Sequence, residues 1–92
     1  MPETIHTLHP DKKQGVKISR EKYEIIRKAI LATLRKQREM TFMNLSRAVE
    51  KEVHGNFDGS VTWYVTTVKL DLEARGLIKR VRGSRPQLVK LV

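Results

Sequence analysis

Residues 72–80 read LEARGLIKR, and our prediction of the fold starts from this stretch. Its first half continues a helical apolar repeat, and Gly76 stands where a residue of left-handed conformation commonly ends a helix. Residues 77–82 (LIKRVR) then have the pattern of a strand, and residues 87–92 (QLVKLV) have that of a returning strand. Gly83-Ser84 supplies a tight turn between them. The sequence therefore predicts a helix that passes directly into a β-hairpin.

Two further helices are predicted before this one. The first is expected over residues 19–37, the second over residues 42–53 and the third over residues 61–75. Side chains that make favourable N-caps stand at the three starts, namely Ser19, Thr41 and Ser60. A brief strand at residues 40–42 would pair with the hairpin. We therefore expect an α+β fold that is mostly helical, with three helices and a C-terminal β-hairpin.

One apolar stripe on each predicted helix supplies the core. The stripes consist of Tyr23, Ile26, Ile30 and Leu34; of Phe42, Leu45, Val49 and Val53; and of Val61, Val65, Val68 and Leu72. A chain of 92 residues has room for one modest core, so we expect one domain. That domain is predicted over residues 19–92. Residues 1–18, which Pro and Gly interrupt, are expected to form a partly ordered N-terminal arm.

The composition excludes several kinds of site. The chain has no cysteine, which excludes disulfides, thiolate metal sites and cysteine nucleophiles. We expect His6 and His9 to be structural or incidental, with no metal and no cofactor bound. Paired carboxylates, a glycine-rich phosphate loop and a nucleophile motif are all missing from the sequence, so we do not expect an enzyme. No apolar run approaches the roughly 20 residues that span a bilayer, and no secretory signal is evident, so we expect a soluble cytoplasmic protein.

The balance of charges is the first indication of function. Nineteen Lys and Arg against ten Asp and Glu give a net charge of +9. On a domain of this size such an excess favours a polyanionic partner, most commonly nucleic acid. Residues 76–92 contain five basic residues and no acidic one. The alternative is that the charge belongs to a solvated surface and keeps an edge hairpin from aggregating.

The run at residues 72–80 resembles the end of a winged-helix recognition helix where it enters the wing. Helix order, turn positions and hairpin extend this resemblance to residues 19–92, and the chain is similar to small uncharacterised bacterial members of the winged helix-turn-helix fold. The resemblance implies a non-catalytic protein that binds duplex DNA, in the manner of a small transcriptional regulator. No membrane and no small-molecule ligand are expected as partners.

The resemblance also implies which side chains would touch DNA. The helix at residues 60–75 would enter the major groove, and the wing at residues 77–92 would lie on the backbone or reach into the minor groove. The expected contacts are Thr62, Trp63, Thr66, Thr67 and Lys69 from the helix, and Arg80, Arg82 and Arg85 from the wing. The first three turns of the helix carry no Arg, Asn or Gln, the residues that make bidentate contacts to bases. Sequence-specific recognition is therefore expected to be weak.

The third helix has a second apolar face, nearly opposite its core stripe. At 100° per residue, this face consists of Trp63, Thr67, Leu70 and Ala74. One interpretation is that the arm or the wing covers it within the chain. The other is that it forms a homodimer contact or a partner surface, which makes the alternative function a protein-interaction or dimerisation module that uses Trp63, Leu70 and Ala74. Asp71 and Glu73, on the same helix, are expected to form local ion pairs.

Overall fold

Hydroxyl side chains begin the helices, as the sequence predicts. The computed structural model describes residues 3–11, 13–55, 57–83 and 86–92, and within these ranges it contains three helices: α1 (Arg20–Gln37), α2 (Phe42–Val53) and α3 (Val61–Ala74). The hydroxyl oxygens of Ser19, Thr41 and Ser60 accept hydrogen bonds from the backbone N–H groups of Lys22, Asn44 and Trp63. Each cap thereby satisfies one of the donors that a helix leaves without a partner in its first turn. About half of the chain is helical.

The end of α3 has the predicted left-handed glycine. Gly76 has φ 78°, and its N–H donates to the carbonyl of Glu73 at 3.1 Å. The N–H of Leu77 donates to the carbonyl of Leu72 at 3.0 Å. These two bonds form a Schellman motif, which occupies carbonyls that the helix would otherwise leave unpaired. Because Leu77 takes part in this cap, the following strand begins one residue later than predicted.

The strands in the described residues form two small antiparallel sheets. Strands β1 (Thr4–His6) and β2 (Lys17–Ser19) pair with each other. Strands β3 (Glu39–Thr41), β4 (Ile78–Arg80) and β5 (Leu88–Leu91) form the second sheet in the order β3-β5-β4. The brief strand predicted between the first two helices is thus confirmed, one residue earlier than expected, and it pairs with the hairpin.

The core lies between the helices and the inner face of the three-stranded sheet. Nearly every residue of the predicted stripes is buried; Phe42 and Val61 are partly buried and pack against the cluster. In the part of the chain that the structure describes, the other buried apolar residues are Ile18, Ala29, Ile78 and Val89. The sheet therefore closes the side of the bundle that the helical stripes leave open.

The N-terminal arm is a hairpin whose loop, described at residues 7–11 and 13–16, lies against α3. Strands β1 and β2 place Ile5 opposite Ile18, and the loop is closed by Thr7, whose N–H donates to the Val16 carbonyl at 2.8 Å. The Thr7 hydroxyl accepts from the Val16 N–H at 2.9 Å. A Cβ atom at Gly15 would stand 1.8 Å from the Thr7 carbonyl oxygen, so this approach requires glycine.

The carboxylate of Asp71 on α3 holds the arm in place. Asp71 is fully buried, and its Oδ1 atom accepts a hydrogen bond from the Leu8 N–H of the arm at 2.9 Å. Its Oδ2 atom accepts from the Tyr23 hydroxyl of α1 and from Arg75 Nε at 2.9 Å. Three donors thus satisfy a carboxylate that would be costly to bury alone.

Asp71 raises the pKa values of two of its partners, Tyr23 and Arg75. The pKa of Tyr23 is raised to about 12. The main cause is the burial of the hydroxyl group, and the second is its hydrogen bond to Asp71. The hydrogen bond to Asp71 likewise raises the pKa of Arg75. Because the pKa of Tyr23 is higher in the folded protein than in the unfolded chain, the neutral tyrosine stabilises the fold. This contribution has its full value below pH 10. That contribution is lost as the pH rises through about 12.

We predict that Asp71→Asn lowers the free energy of unfolding by about 3 kcal/mol, since it removes the charge and faces an amide N–H₂ group towards existing donors. Urea denaturation at pH 7 measures the change. Asp58→Asn, at an exposed loop position, makes the same chemical substitution and is expected to leave the midpoint within experimental error. Equal midpoints for the two variants would show that Asp71 does not hold the arm.

Candidate nucleic-acid interface

The N-terminal half of α3 carries the exposed positions that the sequence predicts for DNA. Thr62 and Thr66 are exposed, and Trp63 retains 46% of its accessible surface. Thr67 is half-buried on the side that faces the arm. The structure therefore brings Thr62, Trp63 and Thr66 together on an open surface and places Thr67 beside the arm, where Trp63 also lines the cleft.

Aromatic contacts fix the start of α3 to its neighbours. The Tyr64 ring meets the rings of Phe57 and Trp63 edge-on, with centroids 5.0 and 4.9 Å away. Lys22 Nζ of α1 lies 5.5 Å from the centroid of the Tyr64 ring, within the range of a cation–π interaction. The loop before α3 and the exposed Trp63 are thus tied to the body of the domain.

The predicted cations Lys69 and Arg80 are both paired with Glu73. Lys69 Nζ lies 2.5 Å from Glu73 Oε1, and only 11% of the Lys69 side chain is exposed. Arg80 Nε, on β4, donates to Glu73 Oε2 at 3.0 Å. The carboxylate of Glu73 therefore joins α3 to the hairpin, and its one negative charge is shared between two cations that the sequence predicts at the interface.

The hairpin presents further positive charge. Arg82 is exposed next to Gly83, which has φ 76°. The predicted contact Arg85 lies outside the described residues. Lys79 and Lys90 stand opposite each other on β4 and β5, on the outward face of the sheet, where Lys90 Nζ lies 4.0 Å from Glu39 Oε1. The described part of the hairpin thus keeps exposed cations in addition to Arg80.

The arm covers part of the second apolar face of α3. A cleft of about 140 Å³ separates Leu8 and Val16 of the arm from Trp63 and Leu70 of the helix. Leu70 and Ala74 are half-buried. The arm therefore covers part of this face of α3. The side chains of Leu8, Val16 and Trp63 nevertheless keep 44%, 39% and 46% of their surfaces exposed. These three side chains, with Leu70, form what we call the arm–helix patch.

The described residues contain no group of three or more His, Cys, Asp or Glu side chains that could hold a metal ion. His9 has a local hydrogen bond, since its Nδ1 atom accepts from the Asp11 N–H at 3.1 Å. Among the residues that the structure describes, no helix is long and apolar enough to cross a membrane.

The expected local ion pairs of Asp71 and Glu73 are confirmed, with Arg75 and Lys69 four residues away in each case. The structural role of Asp71 goes beyond that expectation, because its other two partners lie on the arm and on α1. The sequence held one signal for its burial, since Asp71 stands between Leu70 and Leu72 in an apolar stretch.

No curated protein and no solved structure matches this sequence. One family model does match, over residues 4–89. The matched range begins with β1 and ends within β5, so it includes most of the arm, all of α1, α2 and α3, and most of the hairpin. The chain therefore belongs to DUF6958, a family of unknown function.

Proposed function

We propose that this protein is a winged helix-turn-helix domain that binds duplex DNA, catalyses no reaction and acts as a small transcriptional regulator. In this proposal α2 and α3 are the helix-turn-helix pair, strands β4 and β5 are the wing, and β3 is the third strand that pairs with the wing. The exposed half of α3 enters the major groove, and the hairpin contacts phosphates or the minor groove.

The main support for the proposal is the position of the hairpin. The Glu73–Arg80 contact of 3.0 Å fixes a basic hairpin beside the exposed side of α3. A helix that fits a major groove and a cationic hairpin next to it can engage base edges and backbone at the same time. The net charge of +9 supports this, because phosphate contacts release counterions and dominate the affinity for DNA.

The predicted contacts differ in how accessible their side chains are to DNA. Thr62, Trp63 and Thr66 are open to a major groove, and Arg82 is open to a phosphate. Lys69 and Arg80 are held by Glu73, so they reach DNA only if they leave that carboxylate. Thr67 faces the arm. Arg85 stays a predicted contact on sequence grounds.

We predict micromolar binding of a random duplex at low salt, with an affinity that falls linearly on a logarithmic plot against salt concentration. Arg82→Ala with Arg85→Ala should reduce the slope by about 1.8, because each phosphate that is no longer neutralised lowers the slope by about 0.9. Fluorescence anisotropy of a labelled duplex at four salt concentrations measures both quantities.

The matched control is Arg35→Ala with Lys36→Ala, which removes the same charge from the exposed last turn of α1. It should lower affinity slightly and leave the slope close to that of the unsubstituted protein. Equal slopes in the two double variants would remove the hairpin from the interface. Absence of binding even at low salt would contradict the DNA-binding proposal as a whole.

We predict that Glu73→Gln strengthens duplex binding. Glutamine keeps the size of the side chain but cannot neutralise Lys69 and Arg80, so two cations become available to phosphates. The salt slope should steepen by up to about 1.8, with the largest gain in affinity at low salt. Glu24→Gln makes the same charge change beside Arg27 on α1. If the two variants bind DNA equally well, Glu73 does not restrain cations of the interface.

The arm–helix patch favours a second candidate function, a homodimer or protein-interaction module. Its support is that Leu8, Val16 and Trp63 remain exposed around one cleft. Sedimentation velocity tests the homodimer: a dimer would have twice the 10.7 kDa mass of one chain. Leu8→Ser, which keeps the N–H that binds Asp71, should then dissociate it. Met43→Ser, at a position 61% exposed on α2, is the matched control.

A further inference from the structure

The exposed surface at the start of α3 is built from methyl and indole groups. The Thr66 hydroxyl donates to the Thr62 carbonyl at 2.9 Å, one turn earlier in the same helix. Because that bond turns the oxygen towards the helix backbone, the methyl group is the outward part of the exposed Thr66 side chain. The half-exposed indole of Trp63 extends the same surface.

This surface lacks the donors that recognise guanine and adenine. Lys69 is the single basic residue in the sequence of α3, and its ammonium group is bound by Glu73. The helix also contains no Arg, Asn or Gln, the residues that make bidentate contacts to purine edges. Hydrogen bonding from α3 therefore offers little means to select a G·C pair.

Apolar groups can recognise one feature of the major groove, the C5-methyl group of thymine. We infer that this protein selects A·T-rich duplex DNA, with thymine methyl groups packed against Thr66 and Trp63. The inference rests on the proposed DNA binding, and it names the class of DNA and the residues that select it.

The hairpin favours the same class of DNA by a different physical route. Tracts of A·T pairs have a narrow minor groove with enhanced negative potential, which attracts inserted arginine side chains. Arg82 is exposed beside Gly83 near the turn of the hairpin, where a side chain can enter such a groove. Helix and hairpin therefore both favour A·T pairs.

The test compares three labelled duplexes of equal length by fluorescence anisotropy in one buffer. The first is A·T-rich, the second is G·C-rich, and the third is the A·T-rich duplex with every dT replaced by dU. Deoxyuridine removes the C5-methyl group while it keeps the phosphates and the pairing. The A·T-rich duplex should bind tightest, and the dU duplex should bind roughly fourfold more weakly for each thymine methyl group that the protein buries.

Thr66→Ser identifies the residue that reads the methyl group. Serine keeps the hydroxyl that bonds to the Thr62 carbonyl and removes only the outward methyl, so the preference for dT over dU should shrink several-fold. Thr33→Ser on α1 is a matched control, because the Thr33 hydroxyl donates to the Ala29 carbonyl at 2.7 Å in the same i to i−4 geometry. This control should keep the full preference, and thermal unfolding should confirm that both variants are folded.

Each outcome decides the inference. Tightest binding to the A·T-rich duplex, weaker binding to dU and a smaller difference in Thr66→Ser support it. Equal binding of all three duplexes, or a preference for G·C, would overturn it and leave the DNA-binding proposal standing. Discrimination against G·C without a difference between dT and dU would overturn methyl recognition by α3. No binding to any duplex would overturn both proposals.

Discussion

The arrangement of the domain depends on one buried carboxylate. Asp71 accepts hydrogen bonds from the arm, from α1 and from Arg75 at the end of α3, and none of its surface is exposed. A buried charge is tolerated only when its hydrogen bonds are complete, so each partner must stay in place for the others to be stable. The arm has few buried apolar residues of its own, and this polar contact gives its loop a fixed position on α3.

The position of the arm divides the surface of α3 into three sides. Val65, Val68 and Leu72 face the core, and Leu70 faces the arm. What is left open is the side that carries Thr62 and Thr66. The anchoring of the arm therefore decides which surface of the helix any partner can reach, and the arm borders that surface at Trp63.

The bounds of the helices were predicted well because the residues that begin and end a helix act on neighbouring residues in the sequence. The caps Ser19, Thr41 and Ser60 and the left-handed Gly76 each act within one turn of chain, so composition and spacing suffice to find them. The strands of the arm contain three residues each, too few for an alternating pattern to be visible. Their pairing depends instead on the close approach of Gly15 to Thr7, which sequence spacing does not reveal.

The contacts at the candidate site were predicted less completely than the helices, for a related reason. Spacing of four residues predicted the partners of Asp71 and Glu73 within α3, but Leu8 is 63 residues from Asp71 in sequence. Arg80 reaches Glu73 only because the chain reverses after Gly76. A count of basic residues therefore gives the net charge of the chain, yet it could not show which cations a neighbouring carboxylate holds.

In the proposed interface, these pairings leave attraction to DNA and discrimination between DNA sequences to different residues. In many DNA-binding proteins the same residues supply both. With Lys69 and Arg80 bound to Glu73, the other cations of the hairpin would supply the attraction to phosphates, and that attraction would be the same for every DNA sequence. Discrimination between DNA sequences would rest on small apolar contacts from α3, each of which contributes less than a bidentate hydrogen-bonded pair. A single domain that binds DNA in this way would have a modest ratio of specific to non-specific affinity. Its preference for one class of DNA is therefore expected to grow with the number of adjacent A·T pairs.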